Sequence, residues 1–494
     1  MAINDLFKKK YTTEGMYIGK PEAEAERVDT HALFQDYLNI ENNIQRGNFL
    51  ITGRKGAGKS AYAIWLHDKA QHDDLLFCSL VKKEEFALEE MIQAVDAVNL
   101  KYDALFEWII LVRFVKLVLD SNTGTYLKQI DALNRFYEKN AGFVNIDKYV
   151  IKEILTNKEV NFSPLKSEFG FFSRVLGNKS IKAPFYQMIS PLRETLIQVL
   201  KMDIFKDFNF LLLFDDLDVK FKLTREADRV MLMDLIRVAR RYNTEYLFGT
   251  NAKVLLFIRD DIGDRLEGVD SDKSKIFGSY EYCINWYEND IAQKDETAIM
   301  LRKFINHRLA RSFEKCNIPY DEKDPWLSFV EEEPFIEGQR SQFKYILDHT
   351  FYLPRDFINL FKNISEKRLK LPLTKASVNS LLREFADVKK QEIDDELYVV
   401  YDQNDDMVDK LFQVIEKVNN GRDVTYEQIL HFLDELSMPH KEFHTMLEYC
   451  LLIPVSKANN HLFFNYREKS ISKRFENYTY RPPKILRLYF SNRT

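Results

Sequence analysis

Five apolar runs punctuate this chain, and the stretches between them carry helical rather than alternating periodicity. The runs are Asn48–Thr52, Leu75–Leu80, Phe208–Phe214, Lys253–Ile258 and Tyr280–Trp286. Phe208–Phe214 is nearly continuous in apolar character, which predicts a strand covered on both faces, as in a parallel sheet. Strands alternating with helices over 48–289 therefore predict an α/β core around a five-stranded parallel sheet. Ala61, Ile64, Trp65 and His67 give one packed side to a helix running from Ser60 to about Ala70, and a second helix, Asp228–Tyr242, leads into the fourth strand. Between the second and third strands, residues 86–205 are mostly helical in pattern, show no obvious strand and are far longer than a crossover requires, so a helical insertion is expected. Its greasiest run, Trp108–Leu119, is interrupted by Arg113 and Lys116 and is too short to span a bilayer, so it reads as a buried helix.

Outside this core, residues 1–47 read as a lead-in segment containing Tyr17-Ile18-Gly19-Lys20 and an amphipathic helix marked by Leu33, Tyr37, Ile40 and Ile44. Residues 290–388 read as a helical lid, with Leu301, Phe304, Ile305 and Leu309 apolar and Leu353-Pro354-Arg355-Asp356 near its end. The polar segment Lys389–Asp406 reads as a linker. Three helical stretches (Met407–Val418, Thr425–Leu436, His440–Cys450) and two strand-like pieces (Leu451–Val455, His461–Tyr466) then predict a winged helix over 404–466. The tail, 467–494, holds eight Lys/Arg against two Glu, interleaved with Tyr478, Tyr480, Tyr489 and Phe490.

Composition adds boundaries. The 494 residues carry a net charge of −5, so any polyanion-binding surface has to be local. Cys78, Cys283, Cys316 and Cys450 are widely spaced, which argues against structural zinc, for plain core residues and for a reducing, cytoplasmic setting. The opening residues lack the apolar stretch of a signal peptide, and no membrane partner is expected.

The chemistry concentrates at Gly53-Arg54-Lys55-Gly56-Ala57-Gly58-Lys59-Ser60, which fills every fixed position of G-x-x-x-x-G-K-[ST] between a strand and a helix. Glycines let backbone N–H groups close around an anion, and the helix N-terminus adds partial positive charge at the same point. Gly53, Lys55, Gly56, Ala57, Gly58, Lys59, Ser60 and Ala61 are thus candidate contacts for a nucleoside triphosphate, with Lys59 on the terminal phosphates and Ser60 on Mg²⁺. Asp215, ending the third strand, is placed to hold Mg²⁺, and Asp216 to act as general base. Asp218 serves equally well as a turn former. Arg259 ends the fourth strand, where it would face the terminal phosphate or pair with Asp260 or Asp261; Arg355 would reach the phosphates from the lid or stand as an ordinary exposed arginine.

The order of P-loop, apolar-Asp-Asp-Leu-Asp, strand-ending arginine, Leu-Pro-Arg-Asp lid and winged helix resembles the AAA+ and STAND divisions of P-loop ATPases. YIGKPEAEAE, GRKGAGKSAY and LPRDFINLF together resemble a group of stand-alone bacterial ATPases, some linked with antiphage defence. The resemblance implies that ATP is the ligand, that Tyr17 and Ile18 flank the adenine, and that Arg259 and Arg355, the latter after Pro354, sense the phosphates. Asp216 stands where fast motors of this class have Glu, and no arginine finger is evident, with Arg265 the one weak candidate; both departures favour a slow switch over a processive motor. Three functions stay open: an ATP-controlled switch for self-assembly (a homo-oligomer) or for an effector protein in trans; a DNA-binding ATPase using Lys441, His444, Lys457 and the basic tail; and a scaffold that holds ATP without hydrolysing it. The insertion is expected to carry partner contacts, with Lys148 and Lys152 among its exposed charges, unless it only thickens the core.

Overall fold

The computed structural model describes residues 11–26, 30–82, 102–139, 160–162, 181–183, 185–216, 226–266, 272–287, 295–331, 341–401, 403–421, 424–464 and 474–492. The chain divides into two compact units: Glu26–Ile284, and a second that joins residues up to Ala25 to those from Asn285 onward. The lead-in segment is therefore shared between the two.

The first unit is built on a parallel sheet of five strands: β1 (Leu50–Gly53), β2 (Leu76–Val81), β3 (Asn209–Phe214), β4 (Ala252–Arg259) and β5 (Glu281–Ile284). Their order is β2-β3-β4-β1-β5, and every pairing is parallel. Burial explains the continuous apolar runs: Leu212, Leu213 and Phe214 of β3 and Val254, Leu255 and Leu256 of β4 are fully buried, so alternation has nothing to report. Helix α1 (Lys59–Lys69) follows β1, and its packed side is Tyr62, Ala63, Ile64 and Leu66; of the expected Ala61, Ile64, Trp65 and His67, Ile64 is buried and the other three are partly exposed. Tyr62 sits among Phe34, Trp65 and Phe257, and its burial, with Asp36 and Glu41 nearby, pushes the phenol far above its ordinary range.

The segment between β2 and β3 corrects the expectation of an all-helical insertion. It contains a short antiparallel pair, Val160–Phe162 with Ile181–Ala183. Its helix α2 (Tyr102–Asp120), as the greasy run predicted, is buried, and it packs on β2, β3, α3 (Phe185–Leu200) and α4 (Glu226–Arg241). This helix therefore covers the sheet instead of projecting from it. Glu107, 6% exposed, interrupts the apolar surface of α2 and is met by Arg193 of α3, by Arg241 Nη2 of α4 at 3.2 Å and by the Tyr242 hydroxyl at 3.3 Å. Lys148 and Lys152 lie outside the described residues.

The second unit is helical: α6 (Met300–Lys315), α7 (Pro354–Phe361), α8 (Lys375–Val400), α9 (Asp405–Asn420), α10 (Tyr426–Glu435), α11 (Glu442–Glu448) and α12 (Lys484–Ser491), with α5 reserved for Asp260–Arg265 in the sheet unit. The linker reading of 389–406 is overturned. Leu382, Phe385, Lys389, Ile393 and Leu397 continue one buried stripe of α8, and the acidic residues between them made the stretch look polar. The expected β-hairpin gains a second partner: Val455 bridges Leu462, with Ser456 N donating to His461 O and Phe463 N to Pro454 O (both 2.9 Å), and Ile453–Ser456 also pairs antiparallel with Tyr478–Arg481 of the tail. Cys450 is buried, and the other three cysteines are partly exposed. Among the described residues no helix is long and apolar enough to cross a membrane.

Candidate phosphate site

The loop after β1 has backbone requirements that only its own residues meet. Gly53 packs so closely on β5 that a Cβ there would lie 3.1 Å from Ile284 Cβ. Gly58, at φ 102°, is the N-cap of α1, and a residue with a side chain would be strained in that conformation. Because the cap is glycine, it offers no side chain to the first N–H groups of α1, and no acidic residue stands in the first turn. An uncapped eleven-residue helix keeps its positive end for an anion. Ala57 is buried, Lys55 is exposed, and Gly56, Ser60 and Ala61 are partly exposed around the turn.

Lys59 is not a loop residue in open solvent. It is the first residue of α1, 9% exposed, and its ammonium reaches back across the loop to Gly53 O (2.8 Å) and Arg54 O (3.1 Å). A cation is thereby fixed inside the ring of backbone that the glycines shape.

The neighbouring strands bring the acidic residues to the same carboxyl edge. Asp215 follows β3, is 1% exposed, and its N–H donates to Val81 O (3.1 Å). Asp216 then turns left-handed, at φ 59°, and is partly exposed. This conformation is uncommon outside glycine but is tolerated by Asp and Asn. Asp218 lies outside the described residues. β4 lies between β3 and β1, with Arg259 in register with Gly53, so the arginine stands level with the start of the loop. Its guanidinium is held by Asp261 in a two-pronged pair, Nε to Oδ1 and Nη2 to Oδ2, both 2.9 Å. Arg265 closes α5; its side chain lies outside the described residues.

Tyr17, Ile18, Pro354 and Arg355 belong to the other unit, where they come together. Tyr17 N donates to Ser312 Oγ (2.8 Å), Arg308 Nη1 donates to Ile18 O (2.8 Å), and Arg355 Nε donates to Pro21 O (3.2 Å). Ile18 is buried. Pro354 occupies the first turn of α7, where its missing N–H costs nothing. The turn before it is strained and braced. Tyr352 has φ 61°, and the buried Asp356 accepts from Phe351 N (2.6 Å) and from Lys389 Nζ (2.7 Å). Sequence reading missed Arg308, Ser312 and Lys389. The first had a visible signal, an arginine in the apolar stripe of Leu301, Phe304, Ile305 and Leu309; Lys389 had the same signal but fell in a stretch read as linker.

Of the residues proposed for nucleic acid, the tail aromatics are built into the core, while Lys441, His444 and Lys457 are exposed. Tyr478, Tyr480, Tyr489 and Phe490 are buried, and Glu442 on α11 is buried against the Tyr401 hydroxyl. Lys457 Nζ bonds Glu476 O (2.7 Å), and the His444 ring stacks edge-on against Phe443 and Phe475. Among the described residues, no group of three or more His, Cys, Asp or Glu side chains is arranged to hold a metal ion. Mg²⁺ would therefore take Ser60 and Asp215 with ligands from the nucleotide, a donor set of hard oxygens that suits it. No protein-family model and no curated protein matches the chain.

Proposed function

We propose that the protein binds and slowly hydrolyses ATP and acts as a switch that controls its own assembly or an effector partner, in the manner of AAA+ and STAND ATPases. The observation that carries this reading is the 53–60 loop: a buried Lys59 ammonium enclosed by backbone, glycine at the N-cap, and an uncapped helix end aimed at one point. In this reading Gly56 to Ala61 hold the phosphates, Ser60 and Asp215 hold Mg²⁺, and Arg259 faces the terminal phosphate. Bound Mg²⁺ would neutralise phosphate charge. Asp216 accepts a proton from the attacking water; with one methylene less reach than Glu, it favours slow turnover. Tyr17, Ile18 and Arg355, which the resemblance assigns to the base and to sensing the phosphates, belong to the helical unit. The DNA-binding alternative draws no support from the tail, because its aromatic rings are already buried.

The test is a titration of the full chain with Mg·ATP beside a mass measurement with and without ATP. Lys59→Ala should weaken ATP at least ~100-fold, since each lost charge-assisted bond is worth about 1.5–3 kcal/mol, and should leave the melting temperature within a few degrees. Tight ATP binding by the folded variant removes the loop from the function.

A further inference from the structure

Arg259 and its partner Asp261 carry a consequence for which nucleotide is preferred. β4 passes directly into α5: Arg259 is the last residue of the strand and Asp260 the first of the helix. Asp261 thus sits two residues beyond the arginine, and its carboxylate spans the Nε–Nη2 edge of the guanidinium, the edge shaped for a two-oxygen anion. Both side chains are sheltered, at 28% and 19% exposure, so solvent and salt screen the pair less than an open surface pair. Register pairing with Gly53 sets Arg259 beside the loop that, in the function proposed above, binds phosphates.

We infer that Asp261 is a specificity-determining residue: it competes with the terminal phosphate of a nucleoside triphosphate for Arg259, and so limits the preference for triphosphate over diphosphate. A phosphate on that edge has to displace the carboxylate. One on another edge shares a single cation with a second anion close by. A diphosphate has no group at that position, so the competition acts on the triphosphate alone. The inference rests on phosphate binding at 53–60. Asp260 is the internal control, because it carries the same charge one residue away, and its Oδ1 accepts from Asp261 N (3.1 Å) instead of from the guanidinium.

The experiment is calorimetric titration of the full chain with Mg·ATP and Mg·ADP, on wild type, Asp261→Asn, Asp260→Asn, Arg259→Met and the Arg259→Met/Asp261→Asn pair, each first checked for a wild-type melt. Asp261→Asn should tighten ATP about 10-fold and leave ADP within about twofold, the size of one charge-assisted interaction. Asp260→Asn should move both nucleotides alike. In the Arg259→Met background the Asp261→Asn change should no longer alter the ATP/ADP ratio. If Asp261→Asn weakens ATP, or leaves the ratio at the wild-type value, Asp261 is a brace or a bystander and the inference is wrong. A gain in ratio that persists without the arginine is a general field effect and overturns it equally. If the wild type binds neither nucleotide, the phosphate-loop reading itself fails, and this inference with it. Should Asp261→Asn melt early, Asp261→Ala answers the same question.

Discussion

Two regions carried candidate chemistry in the sequence, the 53–60 loop with its acidic neighbours and the basic, aromatic C-terminus, and the fold treats them in opposite ways. At the carboxyl edge of the sheet, Gly53, Gly58, Lys59, Asp215 and Arg259 are gathered, and the backbone at Gly53 and Gly58 disfavours any residue with a side chain. At the C-terminus, Tyr478 and Tyr480 form a strand that closes a two-stranded sheet, while Tyr489 and Phe490 pack α12 against α8 and α9. One of the tail's positive charges, Lys484, is paired with Asp348 at 2.6 Å. A motif with fixed spacing constrains atoms. A composition bias constrains only an average, which a strand and a helix absorb as readily as a ligand would.

The sharpest way to break this comparison is to delete residues 474–494. Tyr478, Tyr480, Ile485, Leu486, Tyr489 and Phe490 are buried, and each such side chain is worth about 1.5–3 kcal/mol. Their sum exceeds the lower end of the 5–15 kcal/mol by which a domain is stable, so the truncated protein should lose amide-exchange protection through α8 and α9. A truncated chain that melts like wild type while losing strongly salt-dependent DNA binding would return the tail to a nucleic-acid role.

On the other side of the comparison stands Asp216→Asn. Asparagine is isosteric with Asp and also tolerates the left-handed backbone at φ 59°, so the fold is kept while the base is removed. ATP turnover should fall about 10²–10⁴-fold with affinity little changed. Unchanged turnover would take Asp216 out of the mechanism.

Both regions also show what the sequence made legible. β1, β3 and β4 were visible because burial on two faces leaves continuous apolar runs, and α2 because its greasy stretch had nowhere to go but the interior. The phosphate loop was visible because glycine and lysine at fixed offsets report backbone geometry directly. What escaped was set by long-range partners. Ile453–Ser456 pairs with a strand more than twenty residues away as well as bridging its near neighbour, and no local pattern states the distant partner. The continuation of α8 was hidden because Lys389, polar by type, is buried through its bonds to Asp356 and Glu392. The Arg259–Asp261 pair was one of two alternatives that only coordinates could separate.

A third test sharpens the contrast between buried charge that builds a site and buried charge that builds a fold. Glu107→Ala leaves Arg193 and Arg241 facing a hole in the layer over the sheet. Removing one member of such a group typically costs about 3–5 kcal/mol, to be read as a fall in denaturant midpoint. Nucleotide affinity of the fraction still folded should stay at the wild-type value. A change in affinity without a change in stability would make α2 part of the site.

The smallest expected effect is a pH dependence in the helical unit. His349 is 9% exposed, and its Nδ1–H donates to Tyr345 O at 2.9 Å. Burial lowers its pKa to about 4, with Lys484 and Arg487 pushing the same way and the Tyr345 carbonyl opposing them. The folded value lies below the unfolded value near 6.5, so the unfolded chain takes up the proton first as pH falls. Stability from this group is therefore complete above about pH 6.5, declines as pH falls, and is fully lost below about 4. Between pH 7 and pH 5 the loss should amount to about 2 kcal/mol, and His349→Asn, which keeps a donor for Tyr345 O, should remove it. Denaturant titrations of the two proteins across that range decide the matter, and equal slopes with pH would clear His349. A positive result would show that burial in the helical unit, with the charges of Lys484 and Arg487 adding to it, keeps His349 neutral.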